Sequence, residues 1–296
     1  MMKILVLGGT TFDHIVTLPH FPEPVPKTIH IAPFHEAAGS TGAGKALCLT
    51  KLSVSNTLYS VVGNDYWGKK IIDYLFSQKV DFIYDFDSAG TERHFNIMNS
   101  EGDRISMFIT QSSEKLKLNT DLIETKIKES DIVILNIIPY CKELIPLLKK
   151  YDKPVWTDLH DYTENNPYHE PFIEASEYVF LSSDNLSDYR NCMLKLIKND
   201  KELVVCTHGR NGATALDKNG KWYEQPALSS FKMIDANGAG DNFFSGFLYA
   251  YLKSEPIETS LKYGTICAAY CINSKQLVYE NLSSDLIEKE YSRLFV

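Results

Sequence analysis

The strongest constraint on the fold is the alternation of short apolar runs with segments of helical periodicity along most of the chain. The apolar runs predict buried strands, at residues 3–8, 57–62, 131–135, 154–157, 177–181 and 202–207. The segments between them predict helices, at 43–53, 67–79, 119–129, 142–150, 186–198, 239–253 and 257–273. Such alternation indicates βαβ units, and therefore an α/β fold with a mostly parallel sheet that is covered by helices on both faces.

Two regions depart from this rhythm. Residues 27–37 alternate like a half-exposed strand, with Ile29 and Ile31 on one side. Residues 92–110 predict two strands joined by a turn at Ser100-Glu101-Gly102-Asp103. Together they predict a small sheet that stands off the main one. Because no linker or repeat divides the chain, we expect a single domain over residues 1–296 with this small sheet as a lid.

Bulk composition excludes several functional classes. The 296 residues are 44% hydrophobic, which is enough for a substantial core, and a net charge of −8 argues against nucleic-acid and anionic-membrane partners. No apolar stretch approaches the roughly 20 residues of a spanning helix, and the apolar start is predicted to be a strand rather than a signal peptide. The six cysteines form no Cys-x-x-Cys pair, so we expect a reduced, cytoplasmic protein.

The run from Asp235 to Asp241, Asp-Ala-Asn-Gly-Ala-Gly-Asp, carries the clearest chemical signal. Gly238 and Gly240 leave backbone amides uncovered at the start of an apolar helix, which creates an anion site. Asp241 adds a carboxylate at the same point. Amides that neutralise charge beside a carboxylate base suit phosphoryl transfer to a hydroxyl. A capped helix after a tight turn explains the same residues equally well.

This segment resembles the C-terminal signature of the ribokinase-like (PfkB) carbohydrate kinases, Asp-Thr-x-Gly-Ala-Gly-Asp, with Ala236 in the place of the usual Thr. The resemblance implies a three-layer αβα sandwich with a mostly parallel central sheet and a small β-sheet lid that closes over the sugar. It also implies ATP-dependent phosphorylation of a sugar hydroxyl. In that case Asp241 is the catalytic base, and the amides of Gly238, Ala239 and Gly240 form the anion hole. Mg²⁺ would bridge the nucleotide phosphates, and a monovalent cation often lies near the turn that corresponds to Asp235.

Two further matches concern the acceptor. After the first strand, the stretch Gly8-Gly9-Thr10-Thr11-Phe12-Asp13 places Asp13 at a strand's carboxyl end, where a carboxylate can accept hydrogen bonds from sugar hydroxyls. The resemblance assigns it that role, and the alternative is an ordinary turn aspartate. A dinucleotide-binding glycine turn is excluded here because the spacing is wrong.

The stretch Ala38-Gly39-Ser40-Thr41-Gly42-Ala43-Gly44-Lys45-Ala46 almost spells a P-loop, but Ala46 lacks the hydroxyl that would hold Mg²⁺. It is more similar to the family's glycine-rich N-terminal signature. The substrate-binding candidates are Gly39, Ser40, Thr41 and Gly44. Gly44 replaces an Asn that binds substrate in the family, which opens the question of the acceptor. We expect Lys45 to point to solvent.

The nucleotide is expected at two other segments. Residues 204–213 resemble the family's Thr-x-Gly-x-x-Gly loop along the phosphates, with matches at Thr207, Gly209 and Gly212. Residues 180–186 align with an Asn-x-x-Glu motif, in which Asn185 stands in place of the Glu and Ser182 in place of the Asn. Ser182 or Ser183 could instead cap a helix. Asp158 is a weaker candidate near the phosphates.

Three alternatives to a sugar kinase stay open. A nucleoside kinase is favoured by Asn237 and by Phe12 and Phe95, which could stack a base. A ligand-binding protein without turnover is favoured by the altered signatures, and a P-loop nucleotidase would bind ATP at Lys45. The exposed edge of residues 27–37 favours a homodimer formed through the lid.

Overall fold

The computed structural model of the protein describes residues 2–100, 104–113 and 116–296. Its strands, in chain order, are β1 (Ile4–Leu7), β2 (Thr11–Thr17), β3 (Phe34–Gly39), β4 (Asn56–Gly63), β5 (Asp81–Asp87), β6 (Arg93–Met98), β7 (Arg104–Thr110), β8 (Ile132–Asn136), β9 (Val155–Asp158), β10 (Tyr178–Ser182), β11 (Leu203–Thr207), β12 (Ala213–Asp217) and β13 (Trp222–Gln225). The helices are α1 (Thr41–Lys51), α2 (Tyr66–Ser77), α3 (Thr120–Glu129), α4 (Pro139–Glu143), α5 (Ile145–Tyr151), α6 (Glu170–Glu174), α7 (Tyr189–Ile197), α8 (Ala239–Leu252), α9 (Ile257–Ile272) and α10 (Ser284–Phe295).

The main sheet has nine strands in the order β13-β12-β11-β10-β9-β8-β1-β4-β5. The seven strands from β5 to β11 in this order pair in parallel, and β12 and β13 add an antiparallel edge. The carboxyl ends of the parallel strands therefore share one edge, which is where ligands bind in open α/β sheets.

Two apolar cores cover the two faces of this sheet. In β1, Ile4 and Val6 belong to a core shared with α1, α8 and α9, while Leu5 and Leu7 belong to a second core shared with α3, α5 and α7. Successive strand residues point to opposite faces, so one buried strand feeds both cores. The predicted three-layer αβα arrangement is confirmed.

A second sheet, with the strand order β3-β2-β6-β7, forms the lid. The lid strands predicted within 92–110 are β6 and β7, although residues 101–103 of their predicted turn lie outside the described residues. The strand predicted at 27–37 is wrong for its first half, because β3 begins only at Phe34. Ile31 is 90% exposed, so its alternation with Ile29 does not mark a buried strand face.

The prediction for the segment after β1 is also corrected. Asp13 does not lie in a turn at the end of the first strand but in the middle of β2, a lid strand that pairs with β3 and β6. The two glycines before it end β1 and redirect the chain into the lid. Of the helices in the described ranges, none has the length and apolar character needed to cross a membrane.

Candidate active site

The amino end of α8 forms the floor of the candidate site. Gly238 is the N-cap residue with φ 80°, a left-handed conformation that an L side chain rarely adopts. Asp235 Oδ1 accepts a hydrogen bond from the Asn237 amide at 2.8 Å, which shapes the turn before the helix. The amide of Ala239 donates to the Ala236 carbonyl at 3.2 Å. Within the predicted anion hole this amide is therefore engaged in the turn, and the first-turn amides beside it remain for an anion.

Asp241 lies in the first turn of α8 and is nearly buried, at 7% exposure. Its Oδ1 is 2.5 Å from Lys45 Nζ, and Lys45 Nζ is also 3.0 Å from Asp158 Oδ2. The expectation that Lys45 points to solvent is wrong, because this side chain is completely buried. A buried ammonium requires paired carboxylates, and here α8 and the end of β9 supply them. The P-loop interpretation fails for the same reason: the amine is committed to two carboxylates.

The pKa shifts of Lys45 and Asp158 agree with an ionised pair. Burial would lower the pKa of Lys45, but Asp158 and Asp241 together raise it above its ordinary value. Burial would raise the pKa of Asp158, but His160 and Lys45 hold it at about 2. The His160 amide also donates to Asp158 Oδ1 at 3.0 Å. Lys45 therefore carries its proton, and Asp158 is a carboxylate at neutral pH.

The amino end of α1 connects the two predicted carboxylates. A Cβ built on Gly44 would lie 2.8 Å from Asp241 Oδ2, and a Cβ built on Gly39 would lie 2.2 Å from Asp13 Oδ2. Gly44 thus contacts the predicted base, and Gly39 contacts the predicted acceptor-binding carboxylate. Since these glycines are five residues apart, Asp13 and Asp241 flank one short segment at the start of α1. A side chain at Gly44 would collide with Asp241, so the glycine allows this carboxylate to pack directly against α1.

The other two substrate-binding candidates lie on the same segment. Ser40 precedes α1 with φ 76° and makes no side-chain cap, and Thr41 is the first helical residue. Ser40 faces Gly9, where a Cβ would lie 2.5 Å from Ser40 Oγ. The helix start is held against the β1 turn by the Ala43 amide, which donates to the Gly9 carbonyl at 3.1 Å.

Asp13 is buried in the lid and is held by its own strand neighbours. Thr11 Oγ1 donates to Asp13 Oδ1 at 2.7 Å, and His94 Nδ1 lies 3.6 Å from the same oxygen. Burial raises the pKa of Asp13, although Thr11 and His94 act against this shift. One oxygen is thus engaged within the lid, and the other faces Gly39.

The lid face that carries Asp13 contains residues that sequence reasoning missed. Asp13, His94 and Phe108 occupy paired positions on β2, β6 and β7, so their side chains share this face. The ring of Phe108 packs against that of His94 at 4.1 Å and is 54% exposed. Arg104 donates to Asn237 Oδ1 at 2.7 Å and so joins the lid to the turn before α8.

The aromatic candidates for base stacking do not behave alike. Phe12 is buried, with its ring 4.9 Å from that of Trp67, and belongs to the core between the lid and α2. Phe95 pairs with His14 on the lid face opposite Asp13. Asn237, which favoured a nucleoside kinase, binds the lid arginine. Neither Phe12 nor Phe95 therefore offers a base-stacking surface beside Asp13, and Asn237 is engaged by Arg104 of the lid.

The predicted phosphate loop follows β11 at the shared sheet edge. Thr207 ends this strand, Gly209–Asn211 form a short 3-10 turn, and Gly212 begins the return into β12. Gly209 and Gly212 have φ of 51° and 97°. A Cβ on Gly212 would lie 2.0 Å from the Gln225 carbonyl oxygen, whereas one on Gly209 would meet no atom within 4 Å. Both glycines have a positive φ, but only at Gly212 would a side chain also collide with neighbouring atoms.

Asn185 lies on the neighbouring loop, where its Nδ2 donates to the Asp161 carbonyl at 2.8 Å. The amide group is thus engaged in a loop contact, and its oxygen remains for other partners. The capping role considered for Ser182 or Ser183 is wrong, because α7 begins at Tyr189 and its N-cap is Asp188, which accepts from the Asn191 amide at 3.0 Å.

Lys45, His94, Arg104 and Phe108 were the functional candidates that the sequence did not identify. For Lys45 the sequence held one indication, because this residue follows Gly44 in the glycine-rich stretch predicted to bind substrate. Its two carboxylate partners, however, lie 113 and 196 positions away in the sequence. For His94, Arg104 and Phe108 the sequence held no indication, because the arrangement of these lid residues depends on the parallel pairing of β2 with β6.

Comparison with known proteins agrees with this geometry. The family model for pfkB family carbohydrate kinases matches residues 1–283. An acarbose 7(IV)-phosphotransferase from an Actinoplanes strain is 31% identical over 271 residues, with 90% of this chain and 91% of the relative covered. The solved structure of the microbiome-derived acarbose kinase Mak1 is similar, with a TM-score of 0.88, 24% identity and 99% of each chain covered. Ribokinase from Giardia lamblia gives a TM-score of 0.84 at 14% identity, with the same coverage.

The fold and the site thus define a small-molecule phosphotransferase of the α/β class. The chain belongs to the pfkB family of carbohydrate kinases, and kinase activity on sugar hydroxyls follows from this membership. The use of ATP follows from the same class.

Proposed function

We propose that Asp241 is the general base of this sugar kinase. The observation that carries the proposal is the geometry of its carboxylate: Oδ1 is held by Lys45, while Oδ2 makes no hydrogen bond with any described residue and lies against Gly44 at the start of α1. A base must be within hydrogen-bond reach of the proton that it removes, and Oδ2 is the oxygen of this carboxylate that no described side chain engages.

In the proposed reaction the acceptor oxygen forms a bond to the γ-phosphorus of ATP. The bond from that phosphorus to the β,γ-bridging oxygen breaks, and ADP leaves with the electron pair. The hydroxyl proton passes to Asp241 Oδ2. Amides at the start of α8, including those of Gly238 and Gly240, lie where they would neutralise charge on the transferring group, and the helix dipole adds to this effect.

We assign the acceptor to the space between α1 and the lid. The Asp13 carboxylate would accept hydrogen bonds from sugar hydroxyls, and His94 would accept or donate them. The exposed Phe108 ring offers an apolar surface to a sugar ring. The segment from Gly39 to Gly44, with Ser40 and Thr41, would form the wall between the hydroxyls held at Asp13 and the hydroxyl that reacts at Asp241.

The proposed donor is ATP as its Mg²⁺ complex, bound along Thr207, Gly209, Gly212 and Asn185. The described residues contain no cluster of three or more His, Cys, Asp or Glu side chains able to hold a metal ion. Magnesium would therefore arrive with the nucleotide phosphates. Dependence on a monovalent cation near Asp235 and a cytoplasmic location remain predictions.

The acceptor that we favour is a glycoside of the acarbose class. The support is the relative that is 31% identical over nine-tenths of this chain and is named for acarbose phosphorylation. A nucleoside acceptor and a family member without turnover are the alternatives.

The test is an ADP-release assay with MgATP and a panel of acarbose, D-ribose, D-fructose and adenosine. Turnover that is fastest with acarbose supports the favoured acceptor, whereas turnover only with adenosine replaces it by a nucleoside. ADP release with none of the four, from protein that still binds a non-hydrolysable ATP analogue, would favour the binding protein.

A homodimer formed through the lid also remains a proposal. Its support is that β3 and β7 are the free edges of the lid, and that Ile105, Met107 and Ile109 on β7 are more than two-fifths exposed. Light scattering coupled to gel filtration distinguishes a dimer from a monomer of 33.6 kDa.

A further inference from the structure

Lys45 is a charged residue that the proposed reaction does not yet use. Its ammonium is completely buried, ion-paired to Asp241 and Asp158, and 5.0 Å from the centre of the Phe244 ring. Burying three ionised groups costs free energy that good pairing only partly returns, and apolar replacements are often as stable. Stability alone is thus a weak explanation for this arrangement, in which the Lys45 ammonium joins the proposed base to a second carboxylate.

The pairing is asymmetric at Asp241. Lys45 binds Oδ1, and the backbone of the helix is held nearby by Ser245 Oγ, which donates to the Asp241 carbonyl at 2.8 Å. Because Oδ1 is tied to Lys45, the orientation of the carboxylate is restricted and Oδ2 is directed to Gly44. A carboxylate without this contact would rotate about its side-chain bonds and place Oδ2 less often at the reacting hydroxyl.

Asp158 completes the arrangement by its second contact with Lys45. Before transfer the triad carries one net negative charge: two carboxylates and one ammonium. When Asp241 accepts the acceptor's proton it becomes neutral, and Lys45 would be an unpaired buried cation without Asp158. With Asp158 the remaining pair is neutral, so the proton can move onto Asp241 without stranding a charge in the interior.

We propose that Lys45 is a positioning residue that fixes the Asp241 carboxylate through Oδ1, and that Asp158 keeps Lys45 paired while Asp241 holds the acceptor's proton. This inference rests on the proposed function of Asp241. Lys45 itself touches neither acceptor nor nucleotide in this scheme, and it keeps its proton throughout.

The test compares Lys45→Met with Lys51→Met, the same substitution at the last residue of α1. Lys51 Nζ bonds only the Glu280 carbonyl, at 2.9 Å, among the described residues. The assay uses MgATP and whichever of acarbose, D-ribose, D-fructose or adenosine the wild type phosphorylates fastest. We expect kcat of Lys45→Met to fall roughly 10- to 100-fold, as for a misplaced catalytic group, with both KM values within about threefold of wild type. Lys51→Met should retain the wild-type kcat.

A second variant guards against misfolding. Lys45→Met leaves two buried carboxylates without a cation, whereas Lys45→Met/Asp158→Asn removes one of them and should melt at a higher temperature. We expect its kcat to stay as low as that of Lys45→Met, because Asp241 is unheld in both. A purely structural role predicts instead that kcat, counted per site that binds a non-hydrolysable ATP analogue, returns to the wild-type value.

The two levels of the proposal fail in different ways. If wild type phosphorylates an acceptor and either folded Lys45 variant keeps kcat within threefold of wild type, the positioning role is wrong and the function of Asp241 stands. If wild type phosphorylates none of the four acceptors while it binds the ATP analogue, the proposed function is wrong, and the role of Lys45 falls with it.

Discussion

The two ends of the candidate site, the proposed acceptor end and the proposed nucleotide end, differ in the kind of group that forms them. At the acceptor end, Lys45, Asp158 and Asp241 are nearly or fully buried and hold one another by charge. At the nucleotide end, the loop from Thr207 to Gly212 is half-buried or exposed, and backbone conformation rather than side-chain charge defines it. Under the proposed function, side chains at the first end would take up the proton, and the loop at the second end would bind the nucleotide phosphates.

The largest effect should come from Asp241→Asn, which removes the proposed base with little change in shape. We expect kcat to fall on the order of a thousandfold, within the range for general base catalysis, with affinity for a non-hydrolysable ATP analogue close to that of wild type. Steady-state kinetics and calorimetric titration of the analogue measure the two quantities. A matching loss of analogue affinity would show that the two ends are not separate.

A matched glycine pair probes the nucleotide end. Gly212→Ala forces a Cβ towards the Gln225 carbonyl at a positive φ, so we expect a loss of roughly 2–4 kcal/mol in the free energy of unfolding and a higher KM for ATP. Gly209→Ala meets no atom within 4 Å and should cost only about 1 kcal/mol. Urea unfolding of both variants provides the comparison, and equal losses would mean that packing at Gly212 is not what sets the loop.

Acid titration tests the charge at the acceptor end. The pKa of Asp158 is lowered to about 2 in the folded protein, so the unfolded chain binds a proton more readily. Its contribution to stability, about 2 kcal/mol, is therefore present above pH 4 and lost as the pH falls towards 2. Asp158→Asn should show a shallower loss of unfolding free energy over this window than wild type. Parallel curves for the two proteins would contradict an ionised, paired Asp158.

The smallest effect is expected from Asp13→Asn. The amide keeps the size of the side chain and one acceptor oxygen, so the lid should stay folded. The KM of the phosphorylated sugar should rise roughly tenfold, as when a charged hydrogen-bond partner is lost, while the KM for ATP stays constant. A change in kcat with unaltered sugar KM would place Asp13 in the chemistry instead of in acceptor binding.

The sequence predicted β1, β4, β8, β9, β10 and β11 of the main sheet, because each is largely buried and leaves a continuous apolar run, as in β8 and β11. It did not predict β5 and β13, which are partly exposed. The lid was predicted less well. Strand β2 follows two glycines and looks like a turn, and it becomes a strand only because β3 and β6 pair with it. Residues 27–33 alternate as a strand would, but they form no strand because, among the described residues, no other strand of the lid sheet pairs with them.

At the candidate site, local motifs predicted the turns at Gly238 and Gly212 and the helix start beside Asp241, because neighbouring residues dictate these conformations. Lys45 could not be placed in this way. A lysine in a glycine-rich helix start is expected to be solvated, and its burial depends on carboxylates that the fold brings from two distant elements. Charge partners that come from distant elements are a tertiary property, and no short-range pattern encodes them.

The most direct measurement is a crystal structure of the protein with a non-hydrolysable ATP analogue and the sugar that the assay identifies. We predict a sugar hydroxyl oxygen at about 2.6–3.2 Å from Asp241 Oδ2. This oxygen should be placed for in-line attack on the γ-phosphorus, while Lys45 Nζ stays bonded to Oδ1. A sugar whose reactive hydroxyl lies against another side chain, with Asp241 still closed off by Lys45, would contradict it.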